Sequence, residues 1–214
     1  MQDPRIAALR AEYEAAGLDV AHVHPDPFDQ FEVWFGDAID ARLDEPNAMV
    51  LATADGGGHP SARAVLLKGF DRRGFAFYSN FESRKAAEIA ENPWVALVFL
   101  WLPLHRQVRI EGSIERLAED ESDAYFATRP LGARLGAHVS PQSRVIPDRA
   151  WLHERLADLE RRFADGSVPR PVHWGGYRVR PARFEFWQGQ PDRLHDRLQY
   201  REVGGRWLVE RLAP

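Results

Sequence analysis

The segment that most constrains the fold is WVALVFLW at residues 94–101, an unbroken apolar run. A half-exposed antiparallel strand normally alternates apolar and polar side chains, so this run predicts a strand at the centre of a sheet. The following segment, HRQVRIEGSIERL at 105–117, does alternate and predicts an antiparallel return strand. The apolar run and its extension to residue 104 are too short to cross a bilayer, and Pro103 interrupts them.

The remaining segments predict strands in the middle and at the end of the chain, with helices outside them. Further strands are predicted at 48–54, 61–70, 75–80, 175–189, 192–203 and 206–212. Helices are predicted over most of 1–45, with one at about 28–44, and at 83–93, 119–128, 130–138 and 148–164. This order predicts a single domain over 1–214, an α+β protein with an antiparallel β-barrel and peripheral helices.

Composition and charge exclude several classes of protein. The net charge of −4 argues against a general nucleic-acid binder, which normally carries a basic excess. The chain has no cysteine, which excludes disulfides, thiolate chemistry and cysteine zinc sites, and its histidines show no metal-ligand spacing. The N-terminus lacks the basic and apolar regions of a signal peptide. We therefore predict a cytoplasmic protein without a nucleic-acid, membrane or metal partner.

Lysine is rare in this chain. Of the 28 basic residues, only Lys68 and Lys85 are lysines. One explanation is codon bias towards arginine, which composition alone favours. The other is that these two sites require a compact ammonium, which a forked guanidinium does not replace.

Cationic residues recur where predicted strands meet turns. Arg84 and Lys85 lie in the first turn of a predicted helix, where free amides and the helix dipole favour an anion. Arg193, His195 and Arg197 alternate, so a strand would place all three on one face. Any single arginine is better explained by a neighbouring carboxylate. Taken together, the two groups favour bound phosphate.

Two residues near the C-terminal cations allow a structural and a functional interpretation. His195 is suited to act as a general base, but a lone histidine is more often a hydrogen-bonding residue. Trp187 is suited to stack on a flat ligand, or it belongs to the core.

Several motifs resemble the pyridoxine/pyridoxamine 5′-phosphate oxidase family. They are RAVLLKGF, GFAFYSNFESRKAAEIAENP, RQVRIEG, YFATRP, SPQSRVIPDR, VPRPVHWGGYRV, EFWQGQPDRLHDR and the terminal RLAP, in the order of that family and over nearly the whole chain. The resemblance implies an FMN-binding split barrel that acts as a homodimer with the flavin at the interface. It implies oxidation of pyridoxine or pyridoxamine 5′-phosphate to pyridoxal 5′-phosphate, with O2 reduced to H2O2.

The resemblance also implies roles for individual residues. The flavin site would comprise Arg63, Lys68, Tyr78, Ser79, Arg84, Lys85, Gln107, Gln142, Ser143, Trp187 and Arg197. The substrate phosphate would be bound by Lys68, Tyr125 and Arg129. Arg193 and His195 would be the catalytic residues that cover and orient the pyridine ring. Arg10 and Tyr13 would close over the substrate from the N-terminal segment.

The chain departs from the family pattern at Ala133, where the family usually has a serine that helps to bind the substrate phosphate. Loss of one hydrogen bond to a charged group costs about 1.5–3 kcal/mol, which water, a backbone amide or Arg134 would have to offset. The departure gives weight to a related FMN oxidase of another aromatic substrate, of the phenazine-pathway type. A non-catalytic flavin- or B6-binding protein is the other alternative.

Overall fold

The computed structural model describes residues 17–214, and the predicted site residues Arg10 and Tyr13 lie outside the described residues. The helices are α1 (Pro27–Asp40), α2 (Arg84–Glu91), α3 (Glu119–Thr128), α4 (Leu131–Val139) and α5 (Arg149–Arg162). The strands are β1 (Ala48–Ala54), β2 (Pro60–Leu66), β3 (Gly69–Asp71), β4 (Gly74–Asn80), β5 (Trp94–Trp101), β6 (Arg106–Arg116), β7 (Trp174–Gln188), β8 (Asp196–Val203) and β9 (Arg206–Leu212). Among these residues, no helix has the length and apolar character needed to span a membrane.

The strands form one sheet in the order β2-β1-β5-β6-β7-β4-β3, and β8 pairs with both β7 and β9. β5 lies between β1 and β6, so the prediction of a central strand is confirmed. Its side chains nevertheless alternate between buried and more exposed positions, and Leu100 is 54% exposed. In the single chain this strand is therefore partly exposed on one face, despite its continuous apolar sequence.

The chain divides into two compact units. The first comprises the described residues up to Met49 together with 97–111 and 181–214, and the second comprises 50–96 and 112–180. The core of the first unit is aromatic. Trp34 of α1 meets Phe186 of β7 edge to face at 5.2 Å, and Phe31 meets Phe99 at 5.0 Å. Asp26 begins α1 by accepting the amide of Phe28 at 2.8 Å, as an N-cap residue does.

In the second unit, β4 pairs antiparallel with the first half of β7, so that Tyr78 lies opposite Gly176. Helix α2 follows β4 directly. Ser83 immediately precedes α2, but its hydroxyl makes no capping bond to the helix and instead donates to the carbonyl of Asn80 at 2.7 Å. Lys85 and Glu88 are the two buried charged residues of α2.

The predicted strand over 61–70 is interrupted. β2 ends at Leu66 and β3 begins at Gly69, while the amide of Lys68 donates to the carbonyl of Ala76 at 2.9 Å. Lys68 therefore lies at a bend rather than within a continuous strand.

The predicted strand over 192–203 begins only at Asp196. The preceding residues, Pro191–Arg193, form a 3-10 turn in which Arg193 has a φ of 60°. Here the amide of Gln190 donates to Nδ1 of His195 at 3.1 Å. Because these residues are not extended, the prediction that Arg193, His195 and Arg197 share one strand face is wrong.

Gly74 is the position where the backbone most clearly requires glycine. Its φ is +134°, and a Cβ there would lie 2.0 Å from the carbonyl oxygen of Val179 on the paired strand. We expect Gly74→Ala to lower the free energy of unfolding by at least about 3 kcal/mol, from the strained backbone and the clash together. Gly69→Ala is the control, because a Cβ at Gly69 meets nothing within 4 Å. Denaturant unfolding that gave equal losses for both variants would contradict this.

Candidate functional site

A cavity of about 380 Å³ in the second unit brings together many of the predicted site residues. Four cationic residues line it, and they include both lysines of the chain, which favours a functional explanation of those lysines over codon bias. The predicted site residues in the lining are Arg63, Lys68, Tyr78, Ser79, Lys85, Tyr125, Arg129 and Gln142. The other lining residues are Ala64, Val65, Leu66 and Trp174.

Lys85 is a buried ammonium that is held by three acceptors. Its Nζ donates to Ser79 Oγ at 3.0 Å, to Ser83 Oγ at 3.2 Å and to Gln142 Oε1 at 2.7 Å. Burial, and then the neighbouring charge of Arg63, lower the pKa of Lys85 from 10.5 to about 8. The sequence places this lysine one residue inside α2, and packing of α2 against the sheet buries it.

Arg63 is held by the protein itself. Its Nη1 donates to the carbonyl of Leu51 at 3.1 Å and to the hydroxyl of Thr53. Its Nη2 donates to the hydroxyl of Ser61 and to Glu88 Oε2 at 3.2 Å. The guanidinium is thus fixed at the wall of the cavity by four hydrogen bonds.

Arg129 has different surroundings. Its guanidinium lies over the ring of Trp174, 4.4 Å from the centroid, and over Phe126 at 5.5 Å. Burial lowers the pKa of Arg129, although a guanidinium stays protonated in proteins. Its Nη1 is buried and has no hydrogen-bond partner among the described residues. An unpaired buried donor is costly, so this atom fits an anionic ligand.

Stacked aromatic rings form one wall of the cavity. Tyr78 and Tyr125 stack with centroids 3.8 Å apart and planes 12° apart, and Tyr78 lies 5.5 Å from Trp174. Burial raises the pKa of both tyrosines, so their hydroxyls stay neutral at physiological pH. The wall therefore provides flat apolar surface with phenol donors beside the cations.

Arg84 and Ser143 do not line this cavity in the part of the chain that the structure describes. The side chain of Arg84 is 68% exposed, and its Nε donates to Glu88 Oε1 at 2.8 Å. Ser143 is exposed and has a φ of 73°.

The first unit contains a second, smaller cavity of about 220 Å³. Gln107 and Trp187 are the predicted residues in its lining, together with Leu100, Leu102, His105 and Arg106. The ring of His195 lies 4.6 Å from that of Trp187. Arg197 Nε donates to Glu185 at 2.9 Å, so for this arginine the structure shows the carboxylate partner that the sequence left as an alternative.

Two residues were missed by sequence reasoning: Trp174, which lines the larger cavity, and Glu88, which contacts Arg63 at its wall. Trp174 lies within a quoted motif, and no spacing rule marked it as a neighbour of Arg129. Glu88 lies four residues after Arg84 and three after Lys85, a spacing that places all three on adjacent positions of one helix. That spacing was the available signal.

Comparisons with known proteins identify relatives of this chain. Residues 35–161 match the family model described as pyridoxamine 5′-phosphate oxidase, and residues 174–214 match the pyridoxine 5′-phosphate oxidase C-terminal dimerisation region. A pyridoxine/pyridoxamine 5′-phosphate oxidase of Salinibacter ruber is 58% identical over 98% of this chain and 99% of its own length. One of Gloeothece citriformis is 54% identical over 99% and 100%.

Solved structures show the same fold. The structure of PhzG from Burkholderia lata, in complex with tetrahydrophenazine-1-carboxylic acid, matches with a TM-score of 0.87 at 32% identity and covers 94% of this chain and 99% of its own. A pyridoxamine 5′-phosphate oxidase-related, FMN-binding protein of Nostoc punctiforme matches with a TM-score of 0.68 at 17% identity, over 86% and 97%. The predicted antiparallel split-barrel fold is confirmed.

Proposed function

The chain belongs to the pyridoxamine 5′-phosphate oxidase family, and from this premise we propose that it oxidises pyridoxine and pyridoxamine 5′-phosphates to pyridoxal 5′-phosphate, with O2 reduced to H2O2. Membership makes the chain an oxidase with FMN as its cofactor. The observation that carries the choice of a phosphorylated substrate is the buried Nη1 of Arg129, which has no partner among residues 17–214. It shares a cavity with Lys68, a second cation.

The donor set of the cavity fits the phosphate of FMN. Lys85 and Arg63 supply positive charge, and Ser79 and Gln142 supply polar groups within hydrogen-bond distance of Lys85. Ammonium, guanidinium and hydroxyl groups are those that bind phosphate in proteins. We assign these four residues, with Tyr78, to the cofactor. Arg84, Ser143, Gln107, Trp187 and Arg197 stay proposed members of the flavin site.

Lys68, Tyr125 and Arg129 are proposed to bind the phosphate of the substrate. Lys68 lies at the bend between β2 and β3, where its side chain is exposed to the cavity. Tyr125 offers a neutral phenol donor, and Arg129 offers its unpaired Nη1. A dianionic phosphate would offset the charge of both cations.

Arg193 and His195 are proposed to cover and orient the pyridine ring. Nδ1 of His195 accepts the amide of Gln190, so in the neutral ring the proton is carried by Nε2. His195 is thereby prepared to donate a hydrogen bond rather than to accept a proton at Nδ1. We therefore assign it a positioning and hydrogen-bonding role at the substrate rather than that of a strong base.

When bound, FMN would supply the two-electron redox chemistry by which C4′ of the substrate loses a hydride and its hydroxyl group loses a proton, with O2 reduced to H2O2. For the amine substrate, water hydrolyses the oxidised product and releases ammonia. The residues of the chain align the reacting carbon and neutralise phosphate charge, which is the entropic and electrostatic part of the rate enhancement.

A homodimer is proposed, with the flavin at its interface. The match of residues 174–214 to a dimerisation region supports it. In the first unit, Leu100 is 54% exposed and Leu102 is 68% exposed, and both line the cavity that contains Gln107 and Trp187. Exposed apolar side chains beside predicted flavin residues are what a partner chain would cover.

An oxidase of a phenazine-type aromatic substrate is the second candidate. It is supported by the match to PhzG and by Ala133, which removes a hydroxyl from the proposed phosphate site. PhzG shares 32% of its residues with this chain, compared with 58% for the oxidase of Salinibacter ruber. The first candidate is therefore preferred.

Anaerobic reduction of the bound flavin separates the candidates. We expect pyridoxine 5′-phosphate to bleach the visible flavin absorption of the full-length protein, and admission of O2 to restore it with one H2O2 per pyridoxal 5′-phosphate. Unphosphorylated pyridoxine is the control and should reduce the flavin far more slowly at the same concentration. Bleaching by tetrahydrophenazine-1-carboxylic acid, without bleaching by either phosphorylated vitamer, would establish the second candidate instead.

A further inference from the structure

Glu88 is a buried carboxylate that the proposed chemistry does not use. Only 5% of the residue is exposed, and it lies at the centre of a network of donors in the second unit. Its Oε2 accepts from the hydroxyl of Thr53 at 2.5 Å and from that of Ser61 at 2.6 Å. Burial by itself would raise the pKa of Glu88, but these bonds and the neighbouring guanidiniums lower it to about 2. The carboxylate is therefore charged at every pH at which the protein would be used.

Both guanidiniums that contact Glu88 belong to the proposed flavin phosphate site. Arg63 reaches Oε2 at 3.2 Å, and Arg84 reaches Oε1 at 2.8 Å. The two Nη atoms of Arg63 already donate to four acceptors of the protein, which are the carbonyl of Leu51, the hydroxyls of Thr53 and Ser61, and the carboxylate of Glu88. A phosphate that binds Arg63 through these groups has to share or replace the carboxylate.

We propose that Glu88 is an internal counter-ion that competes with the flavin phosphate for Arg63 and Arg84 and thereby limits the affinity of this chain for FMN. The inference rests on the proposed FMN site. A residue that orients the arginines for binding would have the opposite role. Removal of the Glu88 carboxylate would then weaken FMN binding, whereas removal of a competing counter-ion strengthens it.

The local charges determine the direction in which loss of Glu88 changes the affinity for FMN. Arg63, Arg84 and Lys85 carry three positive charges, which Glu88 reduces to a net two. Loss of the carboxylate frees Nη2 of Arg63 and removes a negative charge from the neighbourhood of a dianion, so FMN binds more tightly. The same loss leaves three cations to repel each other in the flavin-free protein, which becomes less stable.

The test compares Glu88→Gln with the wild-type full chain after removal of flavin. We expect the dissociation constant for FMN, measured by quenching of flavin fluorescence, to fall by about tenfold. The dissociation constant for riboflavin, which lacks the phosphate, should change less than about twofold, and the Tm of the flavin-free protein should fall. Glu88→Met is the second variant, because it removes the charge and offers no amide in place of the carboxylate.

Glu91→Gln is the matched control on the same helix. Glu91 is exposed, and its carboxylate accepts the amide of Gly56 at 2.8 Å. This variant should leave the affinity for FMN unchanged. An increase of the FMN dissociation constant in both Glu88 variants, or an equal change for riboflavin, would overturn the counter-ion role in favour of a structural or orienting one. A wild-type chain that binds no FMN would instead refute the proposed function itself.

Discussion

Arg129→Met is expected to raise the KM for pyridoxine 5′-phosphate by about 10- to 100-fold while leaving kcat within a fewfold. The variant loses charge-assisted hydrogen bonds to the substrate phosphate, each of about 1.5–3 kcal/mol, and about 1.4 kcal/mol corresponds to a factor of ten. The loss should be confined to phosphorylated substrates. Steady-state rates with pyridoxine, compared with its 5′-phosphate, measure this directly.

The same substitution has an unusual expectation for stability. Nη1 of Arg129 is buried without a partner among the described residues, and the guanidinium lies against the rings of Trp174 and Phe126. Replacement by methionine removes the desolvation cost and keeps apolar contact with both rings. The Tm of the flavin-free variant is therefore expected to equal or exceed that of the wild type.

Arg178→Met is the control for Arg129→Met. The side chain of Arg178 is only 10% exposed, and its Nη2 pairs with Glu121 at 3.0 Å. Its loss leaves a carboxylate without that partner, so the Tm should fall and the KM should not change. If Arg129→Met lowered the Tm as much as Arg178→Met and affected pyridoxine as strongly as its phosphate, Arg129 would have a structural role.

The contents of the larger cavity illustrate what the sequence predicts. Lys68 and Lys85 stand out in composition, and strand order brings them to one cavity although β3 and β4 separate them along the chain. The functional grouping of these residues came from the motifs, since no local pattern shows which strand ends meet. The apolar run of β5 correctly predicted its central position in the sheet, where β1 and β6 pair with its two edges. The run did not predict that one face of this strand is partly exposed in the single chain.

The failures also have physical causes. Alternation alone placed Arg193, His195 and Arg197 on a strand, but Pro191 and the left-handed backbone of Arg193 make a turn instead. Periodicity does not reveal a positive φ at a non-glycine residue. Similarly, no local pattern predicts that Glu88 is buried, because its burial depends on four donors. Three of these donors lie on β1 and β2, and the fourth is Arg84 of its own helix.

Lys85 is expected to make FMN affinity fall as the pH rises above about 8. Its ammonium has a pKa of about 8 in the structure, compared with an ordinary value of 10.5, so the flavin-free protein loses this charge in a range where other lysines keep it. The dissociation constant for FMN should then rise by up to about tenfold per pH unit above 8, because binding requires the proton to be taken up again. Tyr78 and Tyr125 do not contribute, since burial raises the pKa of each.

The stability of the flavin-free protein should change in the opposite direction over the same range. Between pH 8 and 10.5 the unfolded chain binds a proton at Lys85 that the folded chain has released, so the free energy of unfolding rises with pH. Lys85→Arg is the control, because a guanidinium does not titrate in this pH range. The variant should lose the dependence on pH of both the FMN dissociation constant and the free energy of unfolding. Titrations with FMN and riboflavin from pH 7 to 9.5 isolate the phosphate, because the ratio of the two dissociation constants cancels any titration of the flavin ring. A ratio that stays constant in the wild type, or that rises equally in Lys85→Arg, would show that this ammonium does not bind the phosphate.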